Sequence, residues 1–124
     1  MKKTTLAFLT LLATLGAAGA QAACIYPRAP ENIPDGSTAT LEQMVAAQQA
    51  VKQFDTDITA YNACLDMELQ SLLADPSLDE ARRNELRAMQ VKKNNAAVDD
   101  AQAVVDRFNE QRKAFMEAQK KSKE

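Results

Sequence analysis

The sequence predicts an all-α fold: two long antiparallel helices, with an extended proline-rich strap laid back along the first. Three observations carry this expectation. No proline or glycine interrupts Ser37–Asp75. Within it, Met44, Val51, Ile58, Leu65 and Leu72 recur every seven residues, the spacing of a helix seam. Between Cys24 and Gly36, by contrast, "CIYPRAPENIPDG" holds three prolines and a Pro-Asp-Gly, which exclude helix.

The first element is a leader. "MKKTTLAFLTLLATLGAAGAQAA" opens on Lys2 and Lys3, continues with an apolar run from Leu6 to Leu15, and ends at Ala20-Gln21-Ala22. A positive start, a short apolar middle and a small-x-small end describe a secretory signal, removed after Ala22 or Ala23. The apolar run is too short for a stable membrane span. Residues 1–22 are therefore expected to leave, and the protein to work in the periplasm. Of 15 basic and 17 acidic residues, Lys2 and Lys3 go with the leader, so the remainder is 13 against 17, or −4. That balance gives no footprint for nucleic acid.

Residues 23–38 form the strap. Each proline fixes its own φ and pushes the residue before it to extended geometry. A turn is expected at Ile33 to Gly36. A disordered linker is the competing reading of this composition.

The first helix is expected over Leu41–Leu73. Thr40 with Gln43 is a capping-box pattern, and Ser37 and Thr38 are rival caps. Ala47, Phe54 and Tyr61 each fall three residues after a member of the heptad row and complete its seam. "ADPSLDEARR" breaks the pattern. Either Asp75 caps a helix with Pro76 at its first position, or Ser77 and Glu80 make a second capping box. So short a connection makes the next helix an antiparallel neighbour.

The second helix is expected from about Leu78 to Lys120, with residues 121–124 as a frayed tail. Val91, Val98 and Val105 form one heptad row; Ala101, Phe108 and Phe115 form its companion. Leu78, Leu86 and Met89 lie on a shifted phase, and the slip falls near Val91–Asn95. Asn94 there either fixes register from within the seam or turns to water. The predicted core is thus Met44, Val51, Phe54, Ile58, Tyr61, Leu65, Leu72, Leu86, Met89, Val98, Val105 and Phe108. A turn centred on Asp75 pairs residues whose numbers sum to roughly 150, which sets Val51 against Val98, Phe54 against Ala96 or Ala97, and Tyr61 against Met89. Residues after about Glu110 then overhang the first helix, leaving Phe115 and Met116 as a possible interaction surface.

The two cysteines, Cys24 and Cys64, suggest one disulfide in an oxidising compartment. Cys64 lies about 36 Å up the helix from Thr40, and the 16 residues back to Cys24 reach at most about 53–58 Å, so the strap can span the distance. A lipid anchor on Cys24 is the rival. Bacterial lipoproteins carry a leucine and two small residues before the cysteine; here the stretch is Gln21-Ala22-Ala23, which departs at Gln21. Lipidation would also leave Cys64 unpaired.

Catalytic chemistry has little to build on. There is no histidine, so the commonest general base and metal ligand is missing. Asp55 with Asp57, and Asp99 with Asp100, do not converge on a helix and read as solvated faces. Asp75, Asp79 and Glu80 lack the ligand ladder of a calcium loop. The methionines are scattered at helical positions and read as core filler. No enzyme activity, metal, cofactor or small-molecule substrate is expected.

"CIYPRAP", "IPDGSTAT", "MVAAQQAVKQF" and "YNACLD" together resemble a group of small exported helical-hairpin proteins of Gram-negative bacteria. The similar part covers Cys24 to Asp66. The resemblance implies an envelope location and a strap bolted to the first helix; it transfers no catalytic or binding residues. The expected function is interaction with a protein partner or with a second copy, as a homodimer. A holdase-like chaperone is the alternative, with a basic tip of Arg112, Lys113, Lys120, Lys121 and Lys123. Membrane contact through Phe115 and Met116 beside lysines comes third.

Overall fold

The computed structural model describes residues 23–123; the predicted leader, residues 1–22, lies outside them. Two helices, α1 (Leu41–Leu73) and α2 (Glu80–Lys121), pack against each other as an antiparallel hairpin. The start of α1 follows from its cap. Gln43 N donates to Thr40 Oγ1 at 3.2 Å, and Thr40 N donates to the Gln43 side chain at 2.8 Å, so two orphan amides are satisfied reciprocally.

The start of α2 departs from expectation. Neither Asp75 nor Ser77 caps it. Asp79 does, accepting from Arg82 N at 2.8 Å, and the helix begins two residues later than Leu78. Asp75 is engaged elsewhere: its Oδ1 accepts from Ser77 N at 2.9 Å and from Ser77 Oγ at 2.7 Å, and these bonds hold its carboxyl below the usual range. Arg83 then closes the loop. Its guanidinium donates to Leu73 O at 2.7 Å, Asp75 O at 2.8 Å and Leu78 O at 3.2 Å. Carbonyls left over at the end of α1 and in the loop are thereby satisfied by one half-buried cation.

The later start shifts the register. Gln90 donates to Asp66, and Arg83 reaches Leu73, so facing residues sum to 66 + 90 = 156 and not to about 150. Phe115 is consequently drawn back over the start of α1. It is half-buried against the core cluster and does not overhang.

The core is Met44, Ala47, Val51, Phe54 and Ile58 of α1 with Ala97, Ala101, Val104 and Phe108 of α2. Leu65 is also buried, while Tyr61, Leu86 and Val105 are half-buried. Three expected core residues are exposed: Leu72 at 45%, Met89 at 46% and Val98 at 54%. The pairings of Val51 with Val98 and of Tyr61 with Met89 fail with them. Leu72 ends a strict seven-residue row on a 3.6-residue helix, which drifts by about 20° per heptad. By the last turn of α1 the half-buried residues are Leu69 and Leu73.

On α2 the buried face lies one residue earlier than the valine row. It runs through Gln90, Ala97, Val104 and Gln111, with Ala101, Phe108 and Phe115 as companions. Ala97 is wholly buried. The shielded positions Arg83, Leu86, Gln90, Asn94 and Ala97 are spaced 3, 4, 4 and 3, a four-residue insertion that locally unwinds the pairing. Asn94 is therefore turned inward and not to water. The amide oxygens of Asn62, Gln90 and Asn94 are sealed from solvent without a hydrogen-bond donor among the described residues, a polar layer at the slip.

Candidate interaction surfaces

The strap decides which sides of the hairpin are covered. Cys24 is bonded to Cys64, with Cα atoms 5.8 Å apart, and no free cysteine remains among the described residues. From there the strap runs antiparallel to α1. Ile25–Arg28 border Asp57, Ala60 and Tyr61, and Glu31–Pro34 border Gln43, Ala46, Ala47 and Ala50. The small alanines of α1 let an extended chain lie close, and Ile33 and Ala39 reach the core. Disorder in the strap, the competing sequence reading, does not describe these residues.

Two pins hold the strap to α2. Tyr26 OH donates to Asp100, and its ring meets Tyr61 edge-on with centroids 5.1 Å apart. Farther along, Gly36 N donates to the Gln111 side chain at 2.9 Å. The turn lies later than Ile33–Gly36. Asp35 O accepts from Thr38 N at 3.2 Å and Ala39 N at 2.9 Å, so the turn starts at Asp35. Asp35 Oδ1 also takes Ser37 N at 2.9 Å and Ser37 Oγ at 2.7 Å, the same Asp-x-Ser device as in the interhelix loop. Gly36 has an ordinary negative φ. It is required for approach: a Cβ there would overlap the Gln111 main-chain carbonyl and stand 2.9 Å from Phe115 N. This turn lies against the α2 backbone at Phe115, whose side chain packs on the core. Met116, its neighbour, stays 56% exposed.

Desolvation in the groove, then the hydrogen bond to Asp100 and its charge, then Tyr61, push the Tyr26 phenol from 10.0 up to about 12. Below pH 10 the folded and unfolded chains are both protonated here, and the contact contributes in full. As pH climbs from 10 toward 12 the unfolded chain loses its proton first, so the folded state loses stability. We expect urea midpoints to fall over that window, and the fall to flatten in Tyr26→Phe. Parallel pH profiles for the two proteins would refute the assignment.

On the strap's side the groove between the helices continues past Cys24, where Leu65, Leu69, Leu72, Leu86 and Met89 line it near the loop. The opposite side of the hairpin has no strap. At about 100° per residue, Val91, Val98 and Val105 lie roughly 140–180° round α2 from Asp100, the strap's anchor. Val91 is 57% exposed, close to Val98, while Val105 is half-buried.

Among the described residues no group of three His, Cys, Asp or Glu side chains converges as a metal site. No helix among them is long and apolar enough to cross a membrane. The exposure of the valine row was missed in the sequence because both rows of α2 obey the same heptad rule. One signal was available: the row through Gln90 and Gln111 is the less apolar of the two, and only a second covering element makes it the buried one. No protein-family model, curated protein or solved structure matches the chain.

Proposed function

We propose that the chain is a non-enzymatic protein of the bacterial cell envelope, a disulfide-stapled helical hairpin that docks a protein partner on its strap-free face. One observation carries the reading. The strap shields a single side of the hairpin, while the other side leaves Val91 and Val98, one heptad apart, in solvent and Val105 half-covered. An exposed apolar row at helix spacing fits a packing surface better than a solvated one. Export belongs to the same reading, because an oxidising compartment sustains the Cys24–Cys64 bridge.

The holdase reading rests on the basic end of α2. Lys120 and Lys121 stand in its last turn, where cations compensate the helix dipole, and that role accounts for them without a client.

The test is a photo-crosslinking residue at Val98 in the full exported chain, against the same residue at exposed Lys92. Irradiation of intact cells is expected to give a discrete protein adduct from position 98 and none from 92. Equal adducts from both positions, or none from 98, would overturn the proposal.

A further inference from the structure

We infer that the partner on the strap-free face is a second copy of this chain, docked α2 against α2 in parallel register. The inference rests on the reading of that face as a docking surface and names its occupant.

The argument begins with a second seam on α2. Val91, Asn95, Val98, Gln102, Val105 and Asn109 are spaced 4, 3, 4, 3 and 4, an unbroken heptad pattern over about 27 Å of helix. The inner seam against α1 uses Ala97, Ala101, Val104 and Phe108, and Val105 stands at the border, packed in part against that core. One helix thus carries two seams, and the outer one is open along Val91 and Val98. The 4-3 spacing specifies what the outer one takes, because knobs at that interval fit the holes of another helix.

Charge selects which helix. Asp99, Asp100, Asp106, Arg107 and Glu110 crowd the same stretch of α2, yet all six positions of the outer seam are uncharged. In a parallel, in-register pair each seam residue meets its own copy, so any charge there would face a like charge. A neutral seam is the kind such a pair tolerates. Its two residue types are also their own complements. Valine packs on valine across the axis. An amide both donates and accepts, so Asn95 and Asn109 can bond to themselves across the axis. Neither has a partner among the described residues, whereas Gln102 donates to Asp106 at 2.8 Å within its own helix and would have to exchange that bond. An antiparallel pair would instead set each valine against an amide, burying apolar surface on polar groups. A different partner helix would be selected by opposite charge, which this seam does not offer.

The experiment is light scattering on the oxidised mature chain up to about 100 µM, with variants Val98→Glu and Lys92→Glu. The expected result is twice the chain mass for the natural sequence and for Lys92→Glu. Val98→Glu should weaken the dimer by about 100-fold or more, since each copy would bury a carboxylate against its twin. Circular dichroism checks that this variant stays helical, and Val98→Gln repeats the test without charge. Register is read by a photo-crosslinker at Val105 in mixed light and heavy isotope protein. A cross-copy bond within one helical turn of Val105 supports the arrangement, and one at Asn95, which the antiparallel pair sets opposite Val105, overturns it. A dimer indifferent to Val98→Glu also overturns it. A monomer at about 100 µM overturns it as well, and if position 98 still captures a protein in cells the docking face stands with another occupant.

Discussion

Replacing both Cys24 and Cys64 by alanine lowers the stability of the fold by about 4 kcal/mol. The bridge spans a sequence separation of 40, and closing a loop of that size removes the corresponding chain entropy from the unfolded state. The loss is large for this molecule because its core is thin. Among the described residues ten apolar ones are buried, and of these only Ala97 is shielded completely. Urea titration of the oxidised protein, the double alanine variant and the dithiothreitol-reduced protein measures the effect. The two bridge-free forms should share one lowered midpoint. Equal midpoints with and without the bridge would show that the strap holds itself in place through Tyr26 and Gly36 alone.

Gly36→Ala comes next, at about 2–3 kcal/mol. The new methyl group would overlap the main-chain carbonyl of Gln111, which is held in a helix and cannot step aside as a side chain would. The turn at Asp35 would have to lift from α2, giving up the Gly36–Gln111 hydrogen bond and its contact with the α2 backbone at Phe115. The expected readout is a lowered urea midpoint with the helices intact, and hydrogen exchange accelerated at residues 33–39 and 111–116 but not in the middle of α1. Unchanged exchange at the strap would refute the packing described at Gly36.

Much of this architecture could be read from residues alone. The bounds of α1 were legible because the Thr40–Gln43 box and the end of the heptad row mark them independently. The cysteine pair was legible from reach and parity. The phase of α2 was not. Val91–Val98–Val105 and Gln90–Ala97–Val104 both combine with Ala101 and Phe108 at intervals of three and four, and apolarity favoured the wrong row. What separates them is the strap. It lies on the side of Asp100, Ala103, Val104 and Arg107, and so turns the buried face of α2 toward Ala97 and Val104. No local pattern carries that information, because it arises from a contact 74 residues away. The cap of α2 was missed for a smaller reason. Three acidic or hydroxyl residues compete as caps between Asp75 and Asp79, and Ser77 is taken up by Asp75.

The wide sequence separation of the strap's two pins has a consequence for the order of events during synthesis. Tyr26 bonds to Asp100 and Gly36 to Gln111, across 74 and 75 residues. The α1–α2 contacts nearest the loop, such as Arg83 to Leu73, cross only 10. Short closures form first, because ordering a long intervening chain costs more entropy. Of the described residues, those made earliest are thus the last to find their place. They wait, extended and stiffened by their prolines, until nearly the whole chain has followed and the hairpin has zipped from its loop outward. The groove they fill does not exist before then.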